Sequence, residues 1–149
     1  MKKFFLLATA FVFTLAVSAQ TKADDIAKFN VETYDFGKIK QGVPVTYYFE
    51  IKNISDKPII VESASASCGC TVPEKPEEPI EPGKTGKIKV QYNAAAVAPF
   101  TKDVYVKLSG TSENKTLHIT GEVLTVEAYE AYIKEKANTP VKTGEKPKN

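Results

Sequence analysis

Cys68-Gly69-Cys70 is the stretch whose residue types and spacing point most directly to chemistry. Four readings fit it. From Ala64 onward the even positions are Ala64, Ala66, Cys68, Cys70 and Val72, while Ser63, Ser65, Ser67 and Thr71 take the odd ones. A continuous strand would therefore bury both cysteines on its apolar face as small hydrophobes. Joined as a disulfide, they would sit about 6.6–6.8 Å apart between Cα atoms on a straight strand, at the limit for a bridge. A bend at Gly69 would close that gap, and an oxidising compartment favours the bond. As two thiolates they suit a soft metal such as Cu(I) or Zn(II). As a thiol–disulfide exchanger they need an exposed thiolate of lowered pKa, and Lys75 is the cation near them in sequence.

Little else in the chain offers catalytic or ligating chemistry. His118 is the lone histidine and falls on the polar side of an alternating stretch, with no Ser or Cys that sequence places beside it. Glu74, Glu77, Glu78 and Glu81 are interleaved with prolines, which does not give the alternating ligand loop calcium wants. Asn53-Ile54-Ser55 and Asn114-Lys115-Thr116 match the glycosylation sequon by chance under a bacterial reading. Tyr48 and Tyr105 lie on the polar side of their stretches. Both are candidates to anchor a protein partner, although cross-strand packing also accounts for them. No catalytic residue, firm metal ligand or cofactor is assigned.

The elements that must position these residues are short and extended. The chain has 149 residues, of which 42% are hydrophobic, enough for one domain and not a multi-domain enzyme. Lys2 and Lys3 precede an apolar run over 4–17, and Val17-Ser18-Ala19 offers small residues at a cleavage point. This is the pattern of a signal peptide over 1–19. The run is shorter than the roughly 20 residues of a spanning helix, so no membrane span is expected after cleavage. The expected compartment is periplasmic or extracellular. All twenty basic residues are lysine, and loss of Lys2 and Lys3 leaves basic and acidic residues equal in number. That balance, without a single arginine fork, argues against a nucleic-acid partner.

After a polar lead-in over 20–28, the chain reads as strands. Phe29, Val31 and Tyr34 open an extended piece that ends at Asp35-Phe36-Gly37. Val45, Tyr47, Phe49 and Ile51 alternate with polar neighbours, as do Ile88, Val90 and Tyr92, then Val104, Val106 and Leu108, then Leu117, Ile119 and Val123. Ile59-Ile60-Val61 starts another strand. Residues 73–83 carry four prolines, whose missing donors place that segment outside any sheet. The spacing predicts an all-β fold, an antiparallel immunoglobulin-like sandwich of about seven strands over 29–125. Val126, Tyr129 and Ile133 at helical spacing predict a short helix over 126–137, and the lysine-rich residues 138–149 predict a disordered tail.

Three stretches carry a resemblance: Asp35-Phe36-Gly37-Lys38-Ile39-Lys40-Gln41-Gly42, Cys68-Gly69-Cys70-Thr71, and Ile80-Glu81-Pro82-Gly83 leading into Ile88-Lys89-Val90. Together they resemble the bacterial secreted domain-of-unknown-function family numbered 1573. That family is related in architecture to the immunoglobulin-like domains of the ASPM, SPD-2 and hydin group and to the major sperm protein fold. The resemblance implies a sandwich and export, but no activity. It tilts expectation toward binding. The function expected is a non-enzymatic interaction or structural module whose partner is another envelope or extracellular protein. The alternative is a small redox or soft-metal-handling protein using Cys68 and Cys70.

Overall fold

The computed structural model describes residues 20–138. The expected signal peptide over 1–19 and residues 139–149 of the expected tail lie outside the described residues.

In chain order the elements are α1 (Ala23–Ile26), β1 (Ala27–Phe29), β2 (Thr33–Lys40), β3 (Val45–Asn53), β4 (Val61–Ala66), β5 (Thr71–Glu74), β6 (Thr85–Tyr92), β7 (Pro99–Leu108), β8 (Lys115–Leu124) and α2 (Val126–Asn138). They form two four-stranded sheets, one ordered β1-β3-β6-β5 and the other β2-β8-β7-β4. We call these sheets A and B. The alternation read from sequence decides which side of each strand is dry. Phe49 and Ile51 of β3, Ile88 and Val90 of β6, Val104 and Val106 of β7, and Leu117 and Ile119 of β8 are fully buried between the sheets. Side chains of this size each contribute about 1.5–3 kcal/mol on burial. Aromatic packing closes one flank, where Tyr34 of β2 stacks on Tyr47 of β3 at 3.5 Å between centroids.

The sandwich is the fold expected, with four differences of detail. Among the described residues it has eight strands where about seven were expected. β2 pairs with β8 in parallel, not antiparallel, and the register slips between Asp35 and Lys38. The two strands can lie this close because position 121 is glycine. A Cβ there would meet the Gly37 carbonyl oxygen at 2.8 Å and the Phe100 ring at 2.9 Å. The segment expected as a lead-in over 20–28 contributes α1 and β1, with Ala23 and Ala27 buried. Finally, Pro73 does enter a sheet: β5 pairs Pro73 with Val90. β5 is the end strand of sheet A, where the missing proline donor faces no neighbour.

The turn devices behave as their residues dictate. Pro82-Gly83 forms a tight turn, with Gly83 at φ 75° and the Lys84 N–H donating to the Glu81 carbonyl at 2.9 Å. α2 has no buried residue. It is tethered to β2 by Lys40 to Glu130 at 3.3 Å and by the Lys38 amine over the Tyr132 ring at 4.9 Å.

Candidate functional site

Cys68 and Cys70 lie where the chain leaves β4 in sheet B and enters β5 in sheet A. They form a disulfide, with Cα atoms 5.3 Å apart. The continuous strand that would have buried them as free thiols does not exist, because β4 ends at Ala66 and β5 begins at Thr71. The bend at Gly69 brings the Cα atoms well inside the straight-strand distance. Both cysteines are half-buried, and Cys70 packs against the core.

Thr71 lies beneath them and is buried. Its Oγ1 is 3.7 Å from Cys68 Sγ and 4.0 Å from Cys70 Sγ. Disulfide sulfurs carry no proton, so the threonine hydroxyl is the donor. The Asn93 N–H donates to the Cys70 carbonyl at 3.1 Å and ties the crossing to the residue after β6. In this state neither cysteine is a thiolate, so neither has the form needed to ligate a metal. Among the described residues no group of three or more His, Cys, Asp or Glu side chains is arranged to hold a metal ion.

The two tyrosine candidates are on opposite faces of the molecule. Tyr48 lies on the outer face of sheet A and is 50% exposed. It stands opposite Lys89 of β6, whose amine bonds Glu74 of β5 at 2.9 Å. That hydrogen bond, then the Glu74 charge, raise the Lys89 pKa above the ordinary lysine value. Val72 of β5 is also exposed on this face, at 52%. Tyr105 lies on the outer face of sheet B, half-buried, and its hydroxyl donates to Asp103 at 3.4 Å.

Sequence reading left His118 without a partner, and the structure supplies Asp103, one of whose carboxylate oxygens is 2.8 Å from His118 Nδ1. Both are polar-side residues of neighbouring strands. A hairpin closed over the Gly110–Asn114 connection pairs them, so parity and the turn together carried that signal. Ser67 completes a row across three strands: its N–H donates to the Asp103 carbonyl at 3.0 Å, and its Oγ accepts from the Asp103 N–H at 3.1 Å. A hydrolytic relay needs histidine between nucleophile and acid. Here the acid stands in the middle, leaving Ser67 about two strand spacings, roughly 9–10 Å, from His118.

Asn53, a sequon position, proves to be structural. Its side chain is fully buried. Nδ2 donates to the Lys57 and Ile80 carbonyls, both at 2.7 Å, and Oδ1 accepts from the Ser55 N–H at 2.8 Å. An amide nitrogen used in this way is not open to a glycan, and Asn53 is instead the clamp that holds the 54–58 turn against Ile80.

Residues 27–123 match the family described as "Protein of unknown function (DUF1573)". The chain belongs to this family. Among solved structures, the DUF1573 fold resembles the ASH / PapD-like domain 7 of human CEP192 with a TM-score of 0.60 at 8% identity, covering 80% of this chain and 99% of that one. It resembles a protein of unknown function from Porphyromonas gingivalis W83 with a TM-score of 0.57 at 12% identity, covering 65% of this chain and 46% of that one. A third likeness is to the Vibrio cholerae VesB protease, TM-score 0.54 at 13% identity, covering 68% of this chain and 33% of that one. The chain thus spans less than half the length of the last two. At these identities the likeness is one of fold alone. A comparison with curated proteins returned no match.

Proposed function

We propose that this chain is an exported, non-enzymatic sandwich module that holds another envelope or extracellular protein. The leader pattern of Lys2, Lys3 and Val17-Ser18-Ala19 supports export. The observation that carries the binding reading is the outer face of sheet A, where Tyr48 and Val72 are half exposed over a sheet whose inner side chains Phe49, Ile88 and Val90 are fully buried. An aromatic of this kind offers a large contact area and a free polar tip, the usual anchor of a protein interface. The charges around it are paired among themselves, Lys89 with Glu74 and Lys87 with Glu50, and frame the apolar spots with a polar rim. Affinity capture of the tagged chain from envelope extracts, compared with Tyr48→Ala, tests the reading. A protein enriched by the wild type and lost with Tyr48→Ala supports it. Equal recovery by both variants overturns it.

A second reading rests on the half-buried Cys68–Cys70 bond. A dithiol protein would attack one sulfur, pass through a mixed disulfide, and leave two thiols here and a disulfide on itself, a transfer of two electrons and two protons. Thiol titration of the native chain before and after mild dithiol treatment separates the two. Release of both thiols without unfolding favours exchange. Thiols that emerge only on denaturation remove it.

A further inference from the structure

The sandwich has four strand edges, and three are guarded. β1 is three residues long, β5 is four residues long and contains Pro73, and β2 carries a register slip with α2 tethered beside it. Short strands, proline and irregular register are the devices that keep an edge from pairing with another chain.

β4 lacks them over most of its length. It is the end strand of sheet B and pairs only with β7. Its register slip falls between Val61 and Ser63, which leaves the stretch from Ser63 onward regular. Just before β4 the open side is closed by Ile59 and Ile80, which exchange backbone hydrogen bonds at 3.0 and 2.7 Å. From Ser63 to Ala66 the strand itself carries no charged or bulky side chain, and β5, which comes close to it near the crossing, pairs with β6 and not with β4.

The hydrogen-bond phase of the edge follows from Ser67, whose N–H donates to the Asp103 carbonyl. In an antiparallel ladder, bonded positions alternate. Ser63 and Ser65 therefore also bond toward β7, and the N–H and C=O groups of Ala64 and Ala66 point away from it. Among the described residues those groups have no backbone partner outside the ladder.

The residues here read Ser63-Ala64-Ser65-Ala66-Ser67, the same in both directions. We propose that β4 is a homodimer interface, at which a second copy of this chain adds its own β4 antiparallel across a two-fold axis through Ser65. In that register Ala64 faces Ala66 of the second copy and Ala66 faces its Ala64, so the outward groups of both residues find partners. Ser65 faces Ser65, Ser63 faces Ser67, and no two like charges oppose each other, which is the self-complementarity a two-fold contact requires. The two B sheets join into one of eight strands. This goes beyond the binding reading above, which concerns the opposite sheet and does not depend on it.

Sedimentation equilibrium of the chain, expressed in full and purified from the producing cell, is the test, with denaturing non-reducing gels to exclude disulfide-linked pairs. Ser65 is an exposed outer-face position, so Ser65→Lys and Ser65→Glu are accommodated in the monomer, which circular dichroism checks. The wild type is expected at twice the monomer mass. Each variant alone is expected to associate at least tenfold more weakly, since it sets like charges face to face. An equimolar mixture of the two is expected to recover the dimer mass. A monomeric wild type overturns the proposal. So does a dimer that neither variant weakens, or a mixture that fails to recover.

Discussion

Asp103 faces His118 across β7 and β8, with a carboxylate oxygen 2.8 Å from Nδ1. The same carboxylate accepts from Tyr105. The arrangement orients an imidazole on the outer face of sheet B, yet both side chains are well exposed, at 40% and 38%.

An exposed pair of this kind contributes about 0–1 kcal/mol. His118→Gln should therefore lower unfolding stability by less than about 1 kcal/mol in urea titration. A loss several times larger would mean that the row from Ser67 to His118 is a structural spine and not an exposed pair that water could replace.

Asn53 is the reverse case. Asn53→Ala removes the buried amide that bonds the Lys57 and Ile80 carbonyls and the Ser55 N–H. Each buried group left unsatisfied costs about 1–3 kcal/mol, so the variant should lose roughly 2–4 kcal/mol by thermal or urea unfolding. A near-neutral result would show that water replaces the Asn53 amide at these groups.

The Cys68–Cys70 bond closes a loop of three residues. Loop-entropy scaling gives about 1.5 kcal/mol for so small a ring. The double variant Cys68→Ser with Cys70→Ser should fold and lose about 1–2 kcal/mol, measured under non-reducing conditions. Failure to fold would make the bond a condition for the crossing from β4 to β5 rather than a modest brace.

Lys115 of β8 holds both Asp24 of α1 and Glu32, each at 2.7 Å. Burial works against its charge, but the hydrogen bonds and charges of the two carboxylates outweigh burial and raise its pKa above the ordinary 10.5. A raised pKa in the fold stabilises fully below the unfolded value and is lost as pH rises through the folded one. Wild-type stability should thus fall as pH rises past the ordinary lysine value of 10.5, and fall less steeply in Lys115→Met. Burial also pushes the Tyr92 phenol up, with the same sign, but it is common to both proteins. Identical pH profiles would remove Lys115 from the account.

What sequence reading captured follows from which surfaces are dry. β3, β6, β7 and β8 each bury one face, so Phe49, Val90, Val104 and Leu117 marked their strands by parity. Alternation shows which side is buried and not which strand is next to it, so the parallel pairing of β2 with β8 was not readable. β1 is too short to show a period, and the Pro73 rule against strands fails at an edge, where no donor is needed. Cysteine spacing gave the limiting distance for a bridge, while the bend at Gly69 that brings the sulfurs together is a property of the folded crossing. Asp103 and His118 were within reach, since parity and the turn after β7 place them opposite each other.

The central claim is that Tyr48 on the outer face of sheet A contacts a protein partner. Site-specific photo-crosslinking in intact producing cells tests it most directly, with the photoreactive residue at position 48 and, as control, at Thr120 on sheet B. The account predicts a crosslinked adduct from position 48, containing a protein other than a second copy of this chain, and none of that adduct from position 120. No adduct at position 48, or the same adduct from both positions, would contradict it.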